Sequence, residues 1–186
     1  SRKGNKDIKR CDKTLLRKAL SIALDKSLCY FIVGVLFTPL SNIFFGESIM
    51  RIVIVGNGKV GSTLAEQLSG EGHDITVIDK SQKNIDNTLN SLDVMGVCGN
   101  GASYRVLLEA DVPKADLLIA CTSQDEINLL CCLVGKKLGA GNTIARVRNP
   151  EYSDQLVFMR EELGLSMSIN PERAAASELF RLLKFP

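Results

Sequence analysis

Residues 51–61 read RIVIVGNGKVG: four β-branched apolar residues behind Arg51, then glycines at 56, 58 and 61. β-branched side chains suit a pleated strand and crowd a helix, so Arg51 to Val55 is predicted as a strand. Lys59 to Leu68 places Val60, Leu64, Ala65 and Leu68 on one helical face. The glycines therefore lie between a strand and a helix. There Gly56 can make the tight turn, Gly58 lets backbone approach a pyrophosphate, and Gly61 permits close helix packing. The start of the helix adds N–H groups and the positive end of a dipole. Asp79 follows Gly56 by twenty-three residues and ends the next strand, Ile75 to Asp79, where a carboxylate can accept hydrogen bonds from a ribose diol. The alternative is a purely structural turn with Asp79 capping the next helix; strand, glycines, helix and acid in register favour a nucleotide.

The same alternation continues outward. Helices are expected at Gln82 to Leu89, Tyr104 to Ala110, Asp125 to Leu138, Asp154 to Leu163 and Pro171 to Lys184. Strands are expected at Val94 to Cys98, Ala115 to Ala120, Thr143 to Val147 and Met167 to Ile169. Short apolar strands separated by helical crossovers imply an α/β fold, a Rossmann-like doubly wound parallel six-stranded sheet with helices on both faces.

Charge is distributed unevenly. Residues 1–26 carry nine Lys or Arg against three Asp, and the remainder fourteen against eighteen Asp or Glu. The part expected to fold lacks a concentrated basic stripe, which argues against nucleic acid as a partner. Six cysteines without a CxxC pair, and His73 as the single histidine, exclude zinc spacing. Buried thiols in a reducing compartment are expected instead. Residues 27–46 form twenty uncharged residues, long enough to span a bilayer. A membrane anchor there would place the following domain outside the cell, in conflict with an intracellular nucleotide ligand. Residues 1–49 are therefore read first as non-native or upstream translated sequence, since Met50 stands one residue before the first strand, and second as an anchor.

Five motifs in order, MRIVIVGNGKVGSTLAEQLSGEGHDITVIDK, CGNGAS, LLIACTSQDEINLL, IARVRNPEY and INPE, resemble the N-terminal nucleotide-binding domain of the Trk-type potassium-uptake regulatory subunit, also called an RCK domain. The resemblance covers residues 50–186 and implies NAD or NADH as ligand, with ATP or ADP in relatives. It implies phosphate binding by Gly56, Asn57, Gly58, Lys59 and Val60 above Gly61, and the adenosine ribose on Asp79. Thr122 and Ser123 would meet the middle of the ligand, and Arg146 a phosphate or the second ribose. Asn100 stands where the family commonly has an acid; its amide can still bond an adenine edge. Relatives continue into a second small domain, so the chain reads as a fragment.

The resemblance further implies a peripheral, cytoplasmic regulator that binds a membrane potassium transporter subunit and assembles as a dimer or larger ring. The residues agree with most placements, because ligands of open α/β sheets bind beyond the carboxyl ends of the strands. Arg146 and Arg148 alternate with Ala145 and Val147, which predicts both guanidinium groups on one face. Leu179, Leu182 and Leu183 form an apolar stripe on the last helix that could cross to a partner. His73, in a turn away from the carboxyl edge, and Cys121, without a neighbouring base, are not expected to be catalytic; Asp125 and Glu126 read as helix N-terminal charges. The competing reading, the cofactor domain of an NAD-dependent dehydrogenase, lacks a positioned acid or base.

Overall fold

A computed structural model describes residues 49–184. The apolar run, Cys11, Cys29 and the reading of the chain before Met50 fall outside them. Six strands form one all-parallel sheet: β1 (Arg51–Val55), β2 (Asp74–Asp79), β3 (Met95–Cys98), β4 (Leu117–Ala120), β5 (Asn142–Arg146) and β6 (Met167–Ile169). Their spatial order is β3-β2-β1-β4-β5-β6. Helices α1 (Lys59–Gly70), α2 (Gln82–Leu89), α3 (Tyr104–Glu109), α4 (Asp125–Leu138), α5 (Pro150–Met159) and α6 (Pro171–Lys184) connect or follow them.

The period of two along β1 divides its side chains between two cores. Ile52 and Ile54 face Leu64, Ala65 and Leu68 of α1 and Ile85 of α2. Val53 and Val55 face Leu107 of α3, Cys131 and Cys132 of α4, and Leu156 of α5. Burial on both sides explains why β1 and β4 read as continuous apolar runs. Register carries this alternation across the sheet, with Ile52 beside Ile75 of β2 and Leu117 of β4.

The helix expected from Asp154 starts earlier, at Pro150. Asn149 accepts the Glu151 N–H through its side chain at 3.0 Å, and proline at the first turn needs no amide partner. The side chains of Leu179, Leu182 and Leu183 are not among those described. No described helix is long and apolar enough to cross a membrane.

Two glycines fix how β1 enters α1. Gly56 has φ +98°, in the left-handed region, and a Cβ there would lie 2.8 Å from the Thr122 backbone N. A Cβ on Gly61 would lie 1.8 Å from the Gly56 carbonyl oxygen, so α1 packs directly against the turn. Gly61→Ala is expected to destabilise the domain by about 1–3 kcal/mol through overpacking. Gly70→Ala, in the same helix with nothing within 4 Å, is expected to be neutral or stabilising. Urea unfolding of both variants checks this, and equal effects would contradict it.

The thiols separate by depth. Cys131 and Cys132 are fully buried, Cys98 is exposed, and none of the three is in a disulfide. Burial pushes the Cys131 thiol up to about 12 and raises Cys132 as well. Because the folded pKa lies above the unfolded one, this stability is complete below the unfolded value of about 8.5 and is lost as pH rises towards the folded one. Iodoacetamide should label Cys98 in the native domain and reach Cys131 and Cys132 only in denaturant, and stability should fall as pH is raised above about 9. Site-resolved mass spectrometry and alkaline unfolding curves measure the two effects.

Candidate nucleotide-binding crevice

Strand order reverses between β1 and β4, and their connections leave towards opposite faces of the sheet. A crevice must open where those connections diverge, at the carboxyl ends. The structure has a cavity of about 490 Å³ there, within the size range of small-molecule sites.

Nine of the residues singled out from sequence line this cavity: Gly56, Gly58, Lys59, Val60, Asp79, Asn100, Thr122, Ser123 and Arg146. Gly58 is the N-cap of α1 and no side chain caps the helix. A Cβ on Gly58 would meet nothing within 4 Å. The turn thus presents bare backbone and the positive end of α1 to the cavity. Lys59 and Arg146 add positive side chains at the lining.

Asn57 and Gly61 are not in the lining. Asn57 is 5% exposed, and its Nδ2 donates to the Asn84 carbonyl oxygen at 2.8 Å and to Thr88 Oγ1 at 2.7 Å. Its side chain therefore ties the glycine turn to α2. Gly61 lies beneath the turn, as its close approach to Gly56 requires.

Asp79 is half-buried at the end of β2. Its Oδ2 accepts the Asn57 N–H at 2.7 Å, and its Oδ1 accepts the Ser81 N–H at 2.8 Å and Asn84 Nδ2 at 3.3 Å. The carboxylate thus braces the glycine turn while lining the crevice. Capping of α2 falls to Ser81, whose Oγ accepts the Asn84 N–H at 3.4 Å. At Asn100, Oδ1 accepts the Ala102 N–H at 3.2 Å.

Arg146 and Arg148 do not share a face. β5 ends at Arg146, and the chain then turns towards the start of α4. There the buried Asp125 accepts the Arg148 and Asn149 N–H groups, each at 2.8 Å, through Oδ2. The Arg148 guanidinium donates to the Ser123 carbonyl and stands 3.5 Å from Asp125. Arg146 instead stays at the crevice, its Nη2 donating to Glu172 Oε1 of α6 at 2.5 Å. Its Nε is buried with no hydrogen-bond partner among the described residues.

Asp125 thus does more than face the α4 dipole: it clamps the chain leaving β5. Glu126 accepts from the Tyr152 hydroxyl at 2.7 Å, which lowers the Glu126 carboxyl and raises the Tyr152 phenol. The buried thiol of Cys121 donates to the Gly56 carbonyl at 3.3 Å. His73 sits beyond the amino ends of the strands, accepting the Met50 N–H at 3.3 Å on Nδ1. Sequence reasoning missed Lys80, Asn84 and Gln124, which also line the cavity. Lys80 and Gln124 lie inside two of the quoted motifs and Asn84 outside them, but no residue type in those motifs marks them for the crevice; the sheet order brings all three there.

The family model of the TrkA-N domain matches residues 52–171. The Trk system potassium uptake protein TrkA homolog of Archaeoglobus fulgidus is 42% identical over 137 residues, which is 74% of this chain and 31% of that protein. The chain thus spans about a third of that relative's length. Among solved structures, the TrkA-N domain of the inner membrane protein ybaL from Escherichia coli superposes with a TM-score of 0.64 at 24% identity, over 74% of this chain and 99% of that one. The GsuK channel bound to NAD superposes with a TM-score of 0.56 at 20% identity, over 90% of this chain and 31% of that one. These structures share the fold, and the match along most of β1 to β6 identifies the chain as a member of the TrkA-N domain family.

Proposed function

We propose that this chain is a nucleotide-sensing regulatory module of a potassium uptake system, with NAD or NADH in the crevice and ATP or ADP as competing ligands. The observation that carries this reading is the uncapped start of α1 at Gly58, open where a Cβ would intrude, facing a cavity that Arg146 also lines. A helix N-terminus beside cationic side chains is a site for phosphate. In the proposed complex Gly56, Gly58, Lys59 and Val60 hold the pyrophosphate. Asp79 and Asn100 hold the adenosine end, and Thr122, Ser123 and Arg146 the remainder. Oδ1 of Asp79 already accepts two N–H groups and Oδ2 one, so Oδ2 keeps a lone pair for a ribose hydroxyl. A 2′-phosphate would bring like charges together, so NADP is disfavoured.

The module acts by binding, without turnover. Among the described lining residues none is a histidine, and the buried neighbour Cys121 gives its hydrogen to a carbonyl. A ligand shifts a conformational equilibrium only by its differential affinity for the two states. Arg146 offers such a difference, because it lines the crevice and also holds Glu172 at the start of α6. A phosphate drawn to Arg146 would compete with that carboxylate and alter how α6 is held. The readout is an assembly, a dimer or larger ring, on a membrane potassium transporter subunit at the cytoplasmic face. Val157 and Phe158 of α5, 78% and 82% exposed, give it apolar surface to cover. The relatives, Trk potassium uptake proteins and an NAD-bound channel, support this setting.

Fluorescence titration of residues 50–186 with NADH tests the reading. Saturable binding, weaker binding of NADP, and no NADH consumption with alcohol or hydroxy-acid substrates are expected. Gly58→Ala should weaken binding by about tenfold or more while leaving the melting temperature unchanged, since the added methyl meets only the ligand. Steady turnover would overturn the regulatory reading, and unaltered affinity in Gly58→Ala would remove the phosphate from that turn.

Arg146 and Glu172 give a second test of opposite sign. Arg146→Ala removes charge-assisted bonds of about 1.5–3 kcal/mol and should weaken NADH by roughly tenfold or more. Glu172→Gln removes the competing carboxylate and should strengthen it. Isothermal titration of both variants decides, and weakening in both would show that the pair serves structure rather than exchange.

A further inference from the structure

We infer that Asn128 of α4 is the positioning residue that sets the preference of this crevice for a dinucleotide over a mononucleotide. The inference rests on the nucleotide-binding reading above and concerns a side chain outside the cavity lining. Asn128 is completely buried. Its Oδ1 accepts the Thr122 N–H at 2.8 Å and the Thr122 hydroxyl at 2.7 Å. Its Nδ2 donates to the Thr122 carbonyl at 3.3 Å and to the Arg146 carbonyl at 2.9 Å. The side-chain amide is therefore saturated, and every partner belongs to one of two lining residues. The orientation of the amide is fixed, since one end meets a backbone donor and the other meets two carbonyls.

Beyond the last paired residues of β4 and β5, Ala120 and Ala145, this side chain ties the loop after β4 to the end of β5. Thr122 lies in the loop just beyond β4 and Arg146 ends β5, and Asn128 bonds both. The opposite half of the crevice is held by other groups: Asp79 bonds the Asn57 and Ser81 N–H groups, and Asn57 bonds α2. Asn128 bonds none of these groups, so its loss leaves the ties of Asp79 and Asn57 in place. A mononucleotide such as AMP needs only the β1–β2 half with Gly58 and Asp79. NADH must also reach the β4–β5 half. Loosening Asn128 should therefore act on one ligand and spare the other.

The experiment measures the affinities of NADH and AMP for Asn128→Ala, Asn128→Ser and the wild-type chain. Asn128→Ser retains a hydroxyl and a better chance of folding. Leu156→Ala, in the core beneath α5, serves as a destabilised control. In either Asn128 variant NADH should weaken by about tenfold or more and AMP by less than about threefold, with Ser milder than Ala. Leu156→Ala should leave the ratio of the two affinities unchanged. Equal losses for both ligands, or an unchanged ratio, would overturn the role of Asn128 while leaving the nucleotide reading intact. Binding of neither ligand by the wild-type chain would overturn both.

Discussion

The close approach of the β1–α1 turn to the end of β4 is the constraint on which the rest of this structure depends. β1 lies between β2 and β4, and hydrogen bonding continues beyond its last residue: Gly56 donates to Ile78 and Cys121 donates to Val55, both at 2.8 Å. The turn is thereby wedged between two neighbouring strands, leaving no room for a Cβ at Gly56 or Gly61. Only with glycine at both positions can α1 point its first turn into the crevice. Parallel pairing, helix packing and the direction of the helix dipole are consequences of one steric condition.

Buried polar side chains then hold the loops around this turn. A buried amide or carboxylate is costly unless hydrogen bonded, so each such group must find partners, and loop backbone supplies them. Asp79 takes the Asn57 and Ser81 N–H groups, Asn57 reaches α2, Asn128 takes Thr122 and Arg146, and Asp125 takes Arg148 and Asn149. Every loop at the carboxyl edge named here is fastened by a side chain from a different element. The result is a preformed crevice, the condition under which binding costs little ordering entropy. Arg146 is the contrast, since its partner Glu172 is half exposed and sits at the start of α6. The pair joins a mostly buried guanidinium to a half-exposed carboxylate, so solvent reaches it from the α6 side only.

The sequence by itself determined the fold class and the glycine turn. Runs of β-branched residues separated by helical periodicity specify parallel strands with crossovers, and the observed elements follow the expected ones to within a few residues. α5 departs most, since it both starts and ends earlier than expected, at Pro150 and Met159, with its start set by the capping of Asn149. Of the nine singled-out residues in the cavity lining, Gly56, Gly58 and Asp79 were legible from the local pattern of strand end and glycine turn, while Lys59, Val60, Asn100, Thr122, Ser123 and Arg146 came from the family resemblance. Tertiary structure decided what the polar side chains at those ends do. Asn57 lies inside the glycine motif yet turns into the protein, and Arg148 leaves Arg146 because the chain quits the strand between them. Asn128 lies within the motif LLIACTSQDEINLL but nothing local marks its bonds; they exist only once β4 and β5 are paired and α4 is packed across them. Local propensity acts over a few residues and is written in order along the chain, whereas a hydrogen bond between residues eighteen apart depends on where the sheet has placed them.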